Sequence, residues 1–206
     1  MSGTGSPAQE FLTRLRAAAI KPLEIARFLD ALSHGERVEA IRACGRSEQR
    51  RLYEAVKGVG RVSLRDLVAP ERADLEPVRH YGRNTLPAFT HFEKRFCRPS
   101  GADPARPDRL YGFNFQTMSF VTGPGYFVAR EDPRAPEVLI DYREVPPAAP
   151  LPAGWPAVRR NEVGLGRLVY GNMVDTLRRV SEHVTVGSAA RGGKDLGSWF
   201  LLCREA

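Results

Sequence analysis

The spacing of apolar residues divides the chain near position 58. From Pro7 to about Gly58 it is helical: Phe11, Leu12 and Leu15 open one periodic segment, and Leu23, Ile25, Ala26, Phe28, Leu29 and Leu32 form a second. Val38, Ile41, Leu52, Tyr53 and Val56 then continue with a period near 3.6. Pro22 suits the first turn of a new helix. Ser33 followed by Glu36 forms a capping-box pattern, and Gly45 followed by Ser47 reads as a stop and restart. Three or four short helices are predicted.

Beyond Gly58-Val59-Gly60 the period changes to two. In TLPAFTHFEKRFCR, one face carries Leu86, Ala88, Thr90, Phe92, Lys94 and Phe96, and the other carries Phe89, His91, Glu93, Arg95 and Cys97. Then come a Pro-rich loop, the segment LYGFNFQTMSFVTGPGYFVARE, and the short runs EVLIDYREV, RLVYGNMV, HVTVGSAA and SWFLLCRE. Met173 to Val180 fits either period and is read as a strand because its neighbours are strands. Turn signals between the runs, without helices of crossover length, predict an antiparallel sheet. The expected fold is α+β: a helical N-terminal cap over residues 1–60, then an antiparallel sheet over 61–206 that curls into a small barrel.

Within LYGFNFQTMSFVTGPGYFVARE, a four-residue turn at Thr122 to Gly125 would pair Val121 with Tyr126 and Phe120 with Phe127. Both faces are apolar near that turn, so both are expected to be covered. Asn114, Gln116 and Met118 share a face with Phe120. Buried polar groups need hydrogen-bond partners, supplied either by neighbouring strands or by a ligand.

Composition narrows the possibilities. The chain has 206 residues, 42% hydrophobic and 27% charged, with no run approaching the ~20 apolar residues of a membrane span. No secretory signal is recognisable at the start. Cys44, Cys97 and Cys203 are odd in number and far apart, which fits reduced thiols and a cytoplasmic location. The formal net charge of +7 raises nucleic acid as a partner. Residues 1–58 carry ten basic and seven acidic side chains, so no basic arm exists, and the distribution argues against it.

Motifs for chemistry are sparse. His91 and Glu93 point the same way on one strand and form a candidate proton-transfer or metal pair, with His80, His183 and Asp141 as further donors; no ligand spacing marks a metal site. Cys97 lies between Arg95 and Arg98, which would favour its thiolate. GLGRL at Gly164 is neither a phosphate loop nor a dinucleotide fingerprint, and no cofactor is called for. Trp155, in a Pro-rich loop, is placed to act as a lid over a barrel mouth.

The closing residues, RLVYGNMVDTLRRVSEHVTVGSAARGGKDLGSWFLLCRE, run through an apolar strand, an Arg-Arg-Val turn, a TVG strand and an aromatic strand ending in Arg. This cadence resembles the closing strands of small lipocalin-like β-barrel domains of bacterial proteins. The resemblance implies strands wrapped around an apolar cavity and carries over no site residues. The function expected is binding of a small, mostly apolar molecule, with Tyr111, Asn114, Gln116, Met118, Phe120, Tyr142 and Trp199 lining the cavity and Asn114 and Gln116 orienting a polar end. The alternatives are a hydrolase or isomerase using the same cavity through His91 and Glu93, and a protein-interaction module docking through residues 1–60.

Overall fold

A computed structural model describes residues 5–87, 90–115, 124–159, 161 and 170–205. Four ten-residue helices lead: α1 (Pro7–Arg16), α2 (Pro22–Ala31), α3 (His34–Ala43) and α4 (Arg46–Ala55). Their boundaries follow local chemistry. Ser6 caps α1 with Gln9 reciprocating, and Ser33 caps α3, its Oγ accepting from the Glu36 N–H while the Glu36 carboxylate takes the Ser33 N–H. Pro22 opens α2, and the break at Gly45 separates α3 from α4. A single turn, α5 (Leu64–Leu67), follows.

Eight strands then close a barrel in sequence order: β1 (Val78–Asn84), β2 (His91–Cys97), β3 (Leu110–Phe115), β4 (Tyr126–Glu131), β5 (Val138–Asp141), β6 (Met173–Arg179), β7 (Val184–Arg191) and β8 (Lys194–Arg204). Each pairs antiparallel with the next, and β8 returns to β1 through His80↔Arg204 to Asn84↔Phe200. Among the described residues, closure leaves no strand at an open sheet edge. The helix-then-barrel architecture agrees with the reading of the sequence.

Two cores share this barrel wall. The inner one includes Val78, Phe96, Leu110, Phe127, Ile140, Leu177, Phe200 and Leu202. The outer one joins Phe11, Leu15, Ile25, Leu29, Ile41 and Leu52 of the helices to Val184, Val186, Leu201 and Cys203 on the outer face of β7 and β8. The helices therefore spend their apolar stripes on one side of the barrel. Arg178 adds a clamp, stacking 3.7 Å from the Tyr53 ring and donating to the Tyr53 carbonyl and the Glu137 carboxylate.

The interior is filled by three glycine–phenylalanine pairs directly across the ladder: Gly82↔Phe92, Gly112↔Phe127 and Gly187↔Phe200. A Cβ on these glycines would come within 2.5, 2.4 and 2.3 Å of the partner ring. Each ring thus lies over bare backbone, which lets large aromatics fit inside a small barrel. This packing also corrects the expected hairpin register. Phe127 pairs with Gly112 and Tyr126 with Phe113, not with Phe120 and Val121, because Gly112 provides the space that ring needs.

One end of the barrel is plugged. Val62, Leu64, Leu67 and Val68, in and around α5, join the interior cluster beside Val78, Phe96, Val138 and Leu177. The Nε2–H of His80, which is buried on β1, donates to the Leu67 carbonyl at 2.9 Å and holds the plug in place.

Candidate functional site

Alternation on four strands brings one polar group each to the middle of this apolar interior. Lys94 lies on β2 between Phe92 and Phe96, Asn114 ends the inward row of β3, Tyr142 directly follows β5, and Asp175 lies on β6 between Met173 and Leu177. They meet. The Lys94 ammonium donates to Asn114 Oδ1 at 2.9 Å, to Asp175 Oδ2 at 3.2 Å and to the Tyr142 hydroxyl. Asn114 Nδ2 donates to the Tyr142 oxygen at 3.0 Å, and the Tyr142 hydroxyl lies 3.2 Å from Asp175 Oδ2. The Lys94 and Asp175 side chains are 2% and 4% exposed.

Around the ammonium stand the rings of Phe200, Tyr142 and Phe127 at 4.9, 5.0 and 5.1 Å, with Phe92 at 5.8 Å. Their π-faces provide partial solvation for a cation otherwise removed from water. Burial still dominates. It lowers the Lys94 pKa and raises that of Asp175, each against the opposing pull of the other's charge. Tyr142 is held well above its usual range by burial and by the Asp175 carboxylate beside it. In this accounting one atom is left over: Asp175 Oδ1 is buried and has no hydrogen-bond partner among the described residues.

The tetrad forms the polar floor of a pocket of about 380 Å³ at the barrel end opposite the plug. Its walls are mainly apolar, from Phe92, Tyr170, Met173, Ala189 and Phe200. Leu86 and Leu196 line the same pocket while remaining 47% and 43% exposed, so the rim is apolar as well. Leu196 is displaced there by an irregularity in the β7–β8 ladder, where Gly197 adopts φ +61°. A volume of this size falls within the range that takes up small molecules.

The candidate residues from the sequence divide between the two faces of the wall. Asn114 and Tyr142 line the pocket. Gln116, Met118 and Phe120 lie outside the described residues. Tyr111 is corrected to the outer face, paired with Cys97 and Val128 on the parity opposite to Gly112 and Asn114. Trp199 borders the pocket, but its ring belongs to the helix side, beneath the guanidinium groups of Arg46 and Arg50.

The proton-transfer pair is also corrected. His91 and Glu93 do share a face, but it is the outer one: His91 meets Arg83 at 3.2 Å and Glu93 is bound to Arg95, so neither reaches the cavity. Among the described residues no group of three or more His, Cys, Asp or Glu is placed to hold a metal ion. Cys97 is no activated thiol, because burial pushes it up to about 12 despite its arginine neighbours. Trp155 packs on Phe113 and Tyr126 on the outer face, at 4.8 and 6.1 Å between ring centres, and is not a lid.

Lys94 and Asp175 are functional candidates that no sequence motif singles out. Each leaves a trace in the sequence, Lys94 as a charge between Phe92 and Phe96 and Asp175 as a charge between Met173 and Leu177. A larger open cleft, about 730 Å³, lies on the barrel exterior between Arg61, Arg65, Asp66, Arg106, Glu131 and Arg179. Its charges are largely paired within the wall, Arg61 with Glu131 and Arg179 with Asp66. No helix among the described residues is long and apolar enough to cross a membrane. Compared with known proteins, the chain matches no family model and no curated protein.

Proposed function

We propose that this barrel binds a small, mostly apolar molecule, taken in past Leu86 and Leu196 with its polar end at the Lys94–Asn114–Tyr142–Asp175 floor. The observation that carries this reading is the buried Lys94–Asp175 pair at the bottom of an apolar pocket. A buried ion pair is seldom the most stable filling for a core, since apolar residues of similar volume often do as well or better. Ionisable groups shifted by burial together with a specific charge partner inside a concave site are candidates for functional positions. The three free, buried cysteines suit a reducing, cytoplasmic setting for such a protein.

Native mass spectrometry of freshly purified protein, followed by denaturing extraction, tests the reading together with titration of an apolar fluorescent probe. Wild-type protein is expected to carry an adduct that leaves on denaturation, or to take up the probe saturably at one site. Ala189→Trp, which fills the pocket from its wall, should abolish either signal in a folded barrel. Absence of both adduct and saturable uptake in the wild type, or retention of both in Ala189→Trp, would overturn it.

A further inference from the structure

From the hydrogen-bond inventory of the floor we infer that the polar end of the ligand is a neutral hydrogen-bond donor, a hydroxyl group, read by Asp175 Oδ1. This rests on the binding reading above and specifies its ligand class.

The inference follows from which valences are already taken. Lys94 has three N–H bonds and three acceptors around it, in Asn114 Oδ1, the Tyr142 oxygen and Asp175 Oδ2. The ammonium therefore has no hydrogen to spare for an incoming carboxylate or carbonyl; Asn114 Nδ2 gives one of its two hydrogens to Tyr142, and a hydroxyl can accept the other while donating to Oδ1. Tyr142 accepts from Lys94 and Asn114, and its own proton lies between two acceptors, Asp175 Oδ2 at 3.2 Å and Asn114 Oδ1 at 3.3 Å. Both donors, Lys94 and Tyr142, therefore reach Asp175 Oδ2, whereas Oδ1 of the same carboxylate accepts from neither. The proton shared by the pair lies on the line from Nζ to Oδ2, so Oδ1 is an acceptor whether that proton rests on nitrogen or on oxygen.

A buried carboxylate oxygen without a partner is costly, and a donor supplied from the pocket removes the cost. Charge narrows the choice further. Lys94 and Asp175 balance within the floor, so an anionic head group would face Oδ1 without an uncommitted ammonium to meet it. Among the described residues Arg191, at the end of β7, is the other charged one that lines the pocket, at its wall and not in the floor. A hydroxyl brings a donor and no net charge, and the apolar walls accommodate its hydrocarbon body.

The test uses the intact protein and a matched series: octanol, octyl methyl ether and octanoate, titrated by calorimetry. Octanol is expected to bind at least about tenfold more tightly than the ether, the size of effect that one hydrogen bond to a charged group produces. Octanoate is expected to bind more weakly than octanol. In Asp175→Asn the acceptor becomes an amide donor and Lys94 loses its counter-charge, so octanoate should become the preferred member. Equal affinity for octanol and ether, or preference of the wild type for octanoate, would overturn the inference while leaving an apolar binding site in place. Failure of all three to bind would overturn the binding reading itself. The wild-type ranking decides the matter even if Asp175→Asn does not fold.

Discussion

Removing the two charges of the barrel floor singly and together measures whether the pair is there for stability. With Lys94→Met, Asp175 stays buried without its cation and escapes by taking a proton. At pH 7 that costs about 1.4 kcal/mol for each of the roughly three units separating pH 7 from the usual carboxylate value, about 4 kcal/mol. With Asp175→Leu, Lys94 must shed its proton against a slightly larger gap, so the loss is about 4 to 5 kcal/mol. Both values are ceilings, and both match the ~3 to 5 kcal/mol typical of a buried pair broken on one side.

The double variant leaves no charge in the pocket floor. Asn114 and Tyr142 still bond to each other, through Nδ2 to the hydroxyl at 3.0 Å. Its stability should return to within about 1 kcal/mol of wild type or exceed it, giving a coupling of several kcal/mol in urea unfolding at fixed pH. The signs of the pH dependence differ between the singles. In Lys94→Met the raised Asp175 pKa costs nothing below the unfolded carboxylate value and costs more as pH climbs above it. In Asp175→Leu the lowered Lys94 pKa costs nothing above the unfolded lysine value and costs more as pH falls. Moving from pH 7 to pH 5 should therefore relieve the first variant, and moving to pH 9 the second. Additive losses, with the double variant less stable than either single, would refute the account of the floor as a functional feature.

Gly112→Ala places a methyl group 2.4 Å from the Phe127 ring and 2.6 Å from the backbone oxygen of Arg95, so it should cost about 3 kcal/mol in urea unfolding; Gly35→Ala, with nothing within 4 Å, should cost nothing measurable. His80 is buried neutral, its pKa lowered to about 3 chiefly by desolvation, and it titrates near 6.5 once unfolded. Between those values the unfolded chain binds the extra proton, so stability rises with pH by up to about 1.4 kcal/mol per unit. That contribution is fully present above the unfolded value and lost as pH falls towards 3. Comparison with His80→Gln isolates it; an unchanged slope in that variant would remove His80 as its source.

Short-range signals carried much of the secondary structure. Ser33 with Glu36, Pro22 and the Gly45 break are local devices whose chemistry acts within a few residues, and they delimit α2 to α4 as read. Period-two alternation likewise placed Asn114 inward and put His91 beside Glu93 on one face. Alternation has no means of saying which of two faces is the inside of a closed barrel, so it leaves open that His91 and Glu93 lie on the other side of the wall; Tyr111, three positions from Asn114 on the same strand, is on the opposite parity, and alternation alone already sets it apart from Asn114.

Register was also beyond it, because Gly112↔Phe127 is decided by the room a ring needs against a neighbouring backbone, a property of two strands together. The floor of the pocket shows the division most plainly. A lone Lys94 among phenylalanines and a lone Asp175 among apolar residues are visible in the sequence as exceptions to their patterns. Their separation of 81 positions gives no hint that they touch. Barrel closure brings β2, β3, β5 and β6 around one centre, and in that low-dielectric interior two isolated charges become a hydrogen-bonded pair with a single unclaimed oxygen.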